Sequence, residues 1–347
     1  MGKKIFIKVS LLLVIIICLN FIYNSTFYKM DVKNRSHEMI EILRSQVSTD
    51  VFYFGESSNT TFIENDSIKS SISEMINLFY PSLKLATINK PATHAGIYKY
   101  WLKQIIINKK LPKAIIVTLN LRSFGAPWRY SKLESHTPEW ITLTEPYPNL
   151  FNRFQLSLLG FADKTDQQRE YDLFEEWKSS QLNFSFPVKY KNVADWNYAI
   201  AHGGFLNSDG TWNQQKIELA CHYVKAYAFN IKDDNIRVKD FDEIALWCKQ
   251  NNVNLYLNLM AENIHYADSL VGKELVFLMR QNRDFLVKRY NKNNCFVIDN
   301  LEMVSGKEFI DQNWTTEHYN YKGRMIIAKN VAKSLENQFL KEYKKVY

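Results

Sequence analysis

A buried strand that stops at a glycine and a serine constrains this chain more than any other stretch. Residues 51–54 are four strand formers with no polar interruption, which is typical of a central strand in a parallel sheet covered on both faces. Gly55, Glu56 and Ser57 follow directly. Ligands of open α/β sheets bind beyond the carboxyl ends of the strands, where helix N-termini offer backbone N–H groups. Ser57 therefore stands where a nucleophile would be expected.

Segments typical of strands and helices alternate along the rest of the chain. We predict further strands at residues 82–88, 113–121, 253–259 and 295–298, and helices at residues 60–78, 93–108, 241–251 and 269–290. This alternation indicates a parallel sheet with helices on both faces. The expected fold class is α/β, a flavodoxin-like α/β/α sandwich with a five-stranded parallel sheet in the order 2-1-3-4-5.

The alternation is lost at residues 125–235, a stretch rich in aromatic and polar residues. It is too long for an ordinary loop, so we predict a helical insertion within a domain of residues 49–347, with helices at 166–182 and 212–229. Tryptophans are spread through it at Trp128, Trp140, Trp177, Trp196 and Trp212. Aromatic rings near an active site can stack on sugars, although large aromatics belong more often to the core, and both interpretations stay open here.

The N-terminus is typical of a membrane anchor or a signal peptide. Lys3 and Lys4 precede residues 5–23, an apolar run whose one charge is Lys8. No small-x-small cleavage site follows, and about 19 residues is close to the length that spans a bilayer. We therefore predict an uncleaved anchor at residues 1–25, a single span, then a helical stalk at 26–48. The remaining protein is expected on the extracytoplasmic side.

Charge, histidine and cysteine patterns argue against several classes of protein. The net charge of +8 comes mostly from scattered lysines, which indicates a solvated surface and no nucleic-acid groove. The histidines lack metal-site spacing, so we expect no metal and no cofactor. The three cysteines beyond the anchor are expected to be mostly buried, and one disulfide stays open: Cys221, Cys248 and Cys295.

A second motif stands near the C-terminus. His318 is followed by a polar residue, Asn320, by Gly323 and by a run of apolar residues at helical spacing. With Gly55-Glu56-Ser57 at the other end, the chain resembles the SGNH (GDSL-like) hydrolase family, whose first block is usually Gly-Asp-Ser. The resemblance covers residues 51–340 apart from the insertion.

The resemblance implies a serine nucleophile, Ser57, with His318 as its base. A serine hydroxyl attacks poorly until a base accepts its proton, and histidine, with an ordinary pKa of about 6.5, suits that task. The family also implies three oxyanion donors: the N–H groups of Ser57 and Gly96 and the side chain of Asn120. For Asn120 a cap at the end of a strand is an equally good interpretation.

The chain departs from the family at the third catalytic residue. The usual acid stands three residues before the histidine, where this sequence has Thr315. Glu317, Asp311 or Glu262 can be proposed instead, as can a dyad in which a backbone carbonyl orients the ring of His318. Adjacent residues of an extended segment point in opposite directions, which argues against Glu317. The alternatives stay open.

Two functions follow from these observations. The first is an extracytoplasmic serine esterase or O-acyltransferase that acts on acyl esters, acetyl above all, of an envelope polysaccharide. Arg122, Glu262 and Asn263, which follow predicted strands, are expected to bind that substrate. The alternative is a catalytically inactive SGNH-like domain that binds glycan or scaffolds a membrane acyltransferase, and Thr315 speaks for it.

Overall fold

A computed structural model describes residues 2–28, 30, 48–135, 148–162, 164–292 and 294–339. The chain divides into two compact units. The smaller unit comprises Met1–Val47, Tyr100–Lys110 and Ser135–Thr165, and the larger comprises Ser48–Lys99, Leu111–Glu134 and Asp166–Tyr347. Most of the predicted stalk, residues 31–47, lies outside the described residues.

The strands and helices are numbered in chain order. The strands are β1 (Val51–Gly55), β2 (Leu85–Asn89), β3 (Ala114–Leu119), β4 (Asn254–Leu259) and β5 (Cys295–Asp299). The helices are α1 (Gly2–Thr26), α2 (Ser57–Thr60), α3 (Ile72–Phe79), α4 (Ala95–Ile107), α5 (Ala126–Arg129), α6 (Asn149–Ala162), α7 (Asp166–Ser179), α8 (Val193–Gly203), α9 (Gln214–Tyr227), α10 (Ile236–Gln250), α11 (Ile264–Leu270), α12 (Lys273–Tyr290) and α13 (Tyr321–Phe339).

The smaller unit contains a long apolar helix, α1, which is long and apolar enough to cross a membrane. A membrane anchor and a signal sequence both have this length and composition. Two asparagines of α1 bind the start of α6: Asn24 Oδ1 accepts from Asn149 Nδ2 at 2.9 Å, and Asn20 Oδ1 accepts from the Leu150 N–H at 3.0 Å.

The larger unit is built on one five-stranded parallel sheet in the order β2-β1-β3-β4-β5. This confirms the predicted fold class and strand order. β1 lies between β2 and β3, with Phe54 opposite Ile88 on one side and Val117 on the other. All five residues of β1 are buried, as expected of a strand covered on both faces.

Side chains of β1 alternate between two covered faces of the sheet. Tyr53 belongs to a core cluster with Ile76 of α3 and Ile327 of α13. Phe54 points to the opposite face, where its ring lies 5.9 Å from that of Tyr98. Helix α10 contacts β4, and helix α12 contacts β5. Because successive side chains of a strand point to opposite faces, β1 contributes to the core on both sides of the sheet.

Three predicted helices were wrong in extent. The helix predicted at 241–251 begins five residues earlier, at Ile236. The helix predicted at 60–78 begins at Ile72, because Ser71 and Glu74 form a capping box there. The helix predicted at 269–290 is interrupted at Gly272, whose φ of +119° favours glycine and breaks the helical backbone. In the insertion, α7 and α9 correspond to the two predicted helices, whereas α8 was not predicted.

The cysteines, all of which lie among the described residues, are free. Cys221, Cys248 and Cys295 are buried, as predicted, and the one disulfide left open by their number is not formed. Burial raises the pKa of the Cys295 thiol to about 12, so it packs as a small apolar group.

Candidate active site

The turn after β1 presents Ser57 at the start of a one-turn helix. A Cβ at Gly55 would meet Asn89 Oδ1 at 2.6 Å and Tyr53 Cε1 at 3.0 Å, so this position requires glycine. Glu56 caps the turn, its Oε1 accepting from the Ser58 N–H at 3.0 Å. Within the described residues the Ser57 N–H donates no backbone hydrogen bond, which leaves it available to an anion.

Asn59 ties this turn to its neighbours. Its Nδ2 donates to Ser73 Oγ at 3.1 Å and to Asn89 Oδ1 at 3.3 Å, while its Oδ1 accepts from the Ser73 N–H at 2.9 Å. Asn59 and Ser73 are both buried. The nucleophile turn is thus attached to α3 and to the end of β2.

Ser57, His318 and Asp311 form a continuous hydrogen-bonded chain. Ser57 Oγ lies 3.0 Å from His318 Nε2, and His318 Nδ1 lies 2.7 Å from Asp311 Oδ2. The neutral imidazole with its proton on Nδ1 donates to Asp311 and accepts from the Ser57 hydroxyl. Thr316 Oγ1 donates to the same Asp311 oxygen. The order of groups is that of a Ser-His-Asp triad.

A closed loop brings Asp311 to His318. Phe309 and Tyr319 form an antiparallel bridge, and the Ile310 N–H donates to the His318 carbonyl at 2.9 Å. The two ends of the loop therefore lie side by side, so that a residue near its start can face a residue near its end. Asp311 therefore folds back onto His318, as one of the open alternatives required.

The other two carboxylates proposed as partners of His318 do not contact it. Glu317 Oε1 accepts from Arg122 Nε at 2.6 Å, and Glu262 accepts from the Tyr227 hydroxyl. Both side chains are 1% exposed. Burial and the neighbouring Glu317 raise the pKa of Glu262 well above its ordinary range.

Asn120 directly follows β3, the strand that is paired with β1. Phe54 and Val117 are paired across the two strands, and Ser57 and Asn120 each lie three residues further on. The Asn120 side chain makes no cap hydrogen bond, and its Oδ1 is buried without a partner. The alternative role as a strand-end cap is therefore not observed, and the amide is free to donate.

Gly96 does not fit its predicted oxyanion role. Its N–H donates to His94 Nδ1 at 3.1 Å, so the group is already engaged. The same imidazole belongs to a buried cluster in which the Arg237 guanidinium binds His94, Glu134 and Asp240. Those three side chains lie close enough to hold a metal ion, but the guanidinium takes the central position among them.

Of the three residues predicted to bind substrate, only Arg122 has an accessible functional group. Asn263 is 5% exposed, and its Oδ1 caps α11 by accepting from the Tyr266 N–H at 3.2 Å. Glu262 is buried, and its carboxyl accepts from the Tyr227 hydroxyl. The predictions for Glu262 and Asn263 are corrected accordingly, because cap formation and burial engage both side chains.

Arg122 lines a cleft of about 250 Å³ in the larger unit. Its walls carry three tryptophans and a second cation, Lys225. The tryptophans are Trp128, Trp177 and Trp314. Thr315, at the usual position of the family's acid, lines the same cleft.

One contact in the site was missed by sequence reasoning. Ser57 Oγ lies 3.1 Å from Glu56 Oε2, so the hydroxyl has two possible acceptors, this carboxylate and His318. Glu56 was considered only as a replacement for the family's aspartate. The signal available in the sequence was the extra methylene of Glu56, which lets its carboxylate reach the Ser57 hydroxyl.

Comparisons with known proteins identify no family for this chain. No protein-family model matches the chain, and no curated protein matches it in sequence. Among solved structures, a catalytic mutant of an acetylxylan esterase from Geobacillus stearothermophilus is similar with a TM-score of 0.36 and 8% identity. That match covers 84% of this chain and 96% of the esterase. A likeness at this level carries no conclusion about this chain.

Proposed function

We propose that this protein is a serine esterase or O-acyltransferase that acts outside the cytoplasmic membrane on acyl esters of an envelope polysaccharide. The observation that carries the proposal is the chain of hydrogen bonds from Ser57 Oγ to His318 Nε2 at 3.0 Å and from His318 Nδ1 to Asp311 Oδ2 at 2.7 Å. This geometry supplies a nucleophile, a base and an acid that orients the base.

In the first step Ser57 Oγ attacks the acyl carbonyl carbon, and the hydroxyl proton passes to His318 Nε2. The carbonyl π electrons move to oxygen, and the tetrahedral intermediate carries an oxyanion. When the intermediate collapses, the C–O bond to the sugar breaks and His318 returns the proton to the leaving alkoxide. Asp311 stabilises the imidazolium in between.

Two donors are available for the oxyanion. The Ser57 N–H and the Asn120 amide follow the paired strands β1 and β3, and neither group is engaged by a hydrogen bond to a described residue. Each donor of this kind contributes about 10²- to 10³-fold in rate. These two donors take the place of the Gly96 N–H, which already donates to His94 Nδ1.

The second half of the reaction decides between hydrolysis and transfer. Water attacking the acyl-enzyme gives an esterase, and a sugar hydroxyl gives an O-acyltransferase, with His318 as the base in both cases. The glycan substrate and the extracytoplasmic side are supported by the apolar helix α1 and by the tryptophan-lined cleft. Acetyl is the first acyl group to test. The inactive-domain alternative was favoured by Thr315, and Asp311 now accounts for the missing acid.

The proposal is tested with the full chain in detergent and p-nitrophenyl acetate as substrate. We expect turnover that falls by at least 10³-fold in both Ser57→Ala and His318→Ala, because nucleophile and base act as a unit. Ser58→Ala is the matched control, since Ser58 is the buried neighbour whose hydroxyl makes no hydrogen bond among the described residues. Equal rates in all variants, together with no labelling of Ser57 by a fluorophosphonate, would refute the proposal.

A further inference from the structure

We propose that the cleft beside the active site binds an anionic sugar unit, one that carries a carboxylate or a phosphate, of the glycan bearing the ester. This inference rests on the proposed function for the statement that the bound glycan is the substrate. The cleft itself is defined by Arg122, Lys225, Trp128, Trp177 and Trp314.

The rings of the cleft suit the C–H face of a sugar. Trp314 is 50% exposed although its indole lies against the His222 ring, with 3.8 Å between the centroids. Burial and the nearby Lys225 lower the pKa of His222, so this imidazole is neutral at pH 7. An exposed indole held from behind by a second ring is a stacking surface with little freedom left to lose on binding.

The cations of the cleft suit an anion. Glu317 holds Arg122 through Nε at 2.6 Å, and the two terminal amino groups donate no hydrogen bond to any described residue. Those two groups form the planar fork that binds carboxylate or phosphate in bidentate fashion. Arg122 also lies over the Trp128 ring at 5.4 Å, which fixes the plane of the guanidinium.

The charge balance of the cleft is positive. Glu317 offsets the charge of Arg122, but Lys225 has no ion-pair partner in the described part of the chain, and its Nζ lies 5.8 Å from the Trp177 ring centre. No aspartate or glutamate is among the described residues that line the cleft. A neutral sugar would leave the positive charge of Lys225 without a counter-charge, whereas an acidic sugar would supply one.

The cleft is connected to the catalytic residues at two points. Thr315 lines it three residues before His318, and Arg122 lies two residues after Asn120. Glu317, which holds Arg122, is the residue next to His318. A glycan held here through its acidic unit would then present its ester to Ser57, as the proposed function requires.

The test measures binding by titration calorimetry with full-length Ser57→Ala in detergent, which cannot turn substrate over. Three tetrasaccharides of equal length are compared: a uronic-acid oligomer, its neutral counterpart and a phosphorylated one. We expect at least one acidic oligomer to bind about ten-fold or more tightly than the neutral one, since charge-assisted hydrogen bonds to Arg122 form only with an anion. The stronger of the two acidic ligands identifies the source of the anion.

Two variants, each with a matched control, locate the binding. Lys225→Gln is expected to lower affinity for the acidic oligomer alone, and Trp314→Ala to lower affinity for acidic and neutral oligomers alike. Lys216→Gln, an exposed lysine on the same helix α9, and Trp212→Ala, an exposed tryptophan, do not line the cleft and are expected to have no effect. Both test variants are at accessible positions, so folding is expected to survive.

The outcomes separate this inference from the proposed function. Selective binding of the acidic oligomer that is lost in Lys225→Gln supports the site even if ester turnover is absent. Equal affinity for acidic and neutral oligomers overturns it even if esters are cleaved. Equally tight binding of an oligothymidylate of the same charge also overturns it, because the cleft would then select charge and not sugar.

Discussion

His318 Nδ1 lies 2.7 Å from the Oδ2 atom of Asp311, an acid seven residues earlier in the chain and not at the family's usual place three residues before the histidine. The Phe309–Tyr319 bridge closes the loop between them and makes this contact possible. In the proposed triad the acid thus comes from the opposite side of the loop, and Thr315 lines the neighbouring cleft.

Asp311→Asn is expected to lower kcat toward p-nitrophenyl acetate by about 10²- to 10⁴-fold. The new amide can donate to Nδ1 and so favours the tautomer with its proton on Nε2, which cannot accept from Ser57. Asp284→Asn, an exposed aspartate, is the control. An unchanged kcat in Asp311→Asn would point to a Ser-His dyad in place of the triad.

Asn120→Ala is expected to lower kcat by about 10²- to 10³-fold with little change in KM, because the amide binds the oxyanion and not the ground-state ester. Asn263→Ala is the comparison variant. Asn263 caps α11, so its loss should lower the free energy of unfolding by about 1 kcal/mol and leave kcat unchanged. A rise in KM alone for Asn120→Ala would show that Asn120 binds substrate and not the oxyanion.

The sheet was predictable because its signals are local. β1 and β3 are unbroken apolar runs, and an alternation of strands with helices leaves few topologies. The resemblance indicates Ser57, Asn120 and His318, and the predicted elements indicate where they lie: Ser57 and Asn120 follow strands, and His318 precedes the last helix. Their positions depend on strand order, which the alternation determines.

Partners set by distant contacts were not predictable. Which of the three acids meets His318 depends on the bridge that closes residues 309–319, and Arg122 captures Glu317 from across the site. The resemblance indicates Gly96 as an oxyanion donor because it follows the second strand, whereas His94, two residues earlier, accepts from its N–H. Hydrophobic periodicity indicates helices and strands, but it does not indicate which side chains pair.

Glu56→Asp tests the second acceptor of the Ser57 hydroxyl. Aspartate is also a good N-cap, but its carboxylate is one methylene shorter and withdraws from Ser57 Oγ, now 3.1 Å from Glu56 Oε2. His318 then becomes the sole acceptor, so kcat/KM should stay within about three-fold of the parent value or rise. Initial rates and the rate of fluorophosphonate labelling measure this. A loss of ten-fold or more would instead give Glu56 a part in the reaction.

Glu262→Gln is expected to change how stability depends on pH. Burial and Glu317 raise the pKa of Glu262 well above its ordinary 4.5, so its stabilising contribution is complete below pH 4.5 and declines as the pH rises toward the folded-state value. The decline is about 1.4 kcal/mol per pH unit in that interval. Glutamine cannot ionise, so the variant should gain stability relative to the parent from pH 4.5 upward.

Urea denaturation of the parent and Glu262→Gln proteins at pH 4, 6 and 8 checks this prediction. Glu317→Gln serves as the contrast, because it leaves Arg122 without its carboxylate and should be destabilised at all three values. Parallel stability curves for the parent and Glu262→Gln would mean that Glu262 does not titrate as inferred.

Arg324 joins the segment after Ser57 to the helix after His318. Its guanidinium is fully buried and donates to Asp66 Oδ2 at 3.0 Å, to the Ser70 carbonyl at 3.0 Å and to the Ile68 carbonyl at 2.6 Å. Burial alone would raise the pKa of Asp66, but the Tyr321 N–H and Arg324 outweigh it and lower the pKa below 3.8.

Arg324→Met is therefore expected to lower the free energy of unfolding by about 3–5 kcal/mol at pH 7, since it leaves the Asp66 carboxylate buried without its cation. The depressed pKa of Asp66 means that its contribution is present above pH 3.8 and is lost as the pH falls through the lowered value, so the deficit of the variant should shrink in acid. Urea denaturation at pH 7 and pH 3 measures both effects. Arg280→Met, which breaks an exposed pair with Glu302, should cost at most about 1 kcal/mol. An equally small cost for Arg324→Met would mean that the two catalytic segments are held together without this arginine.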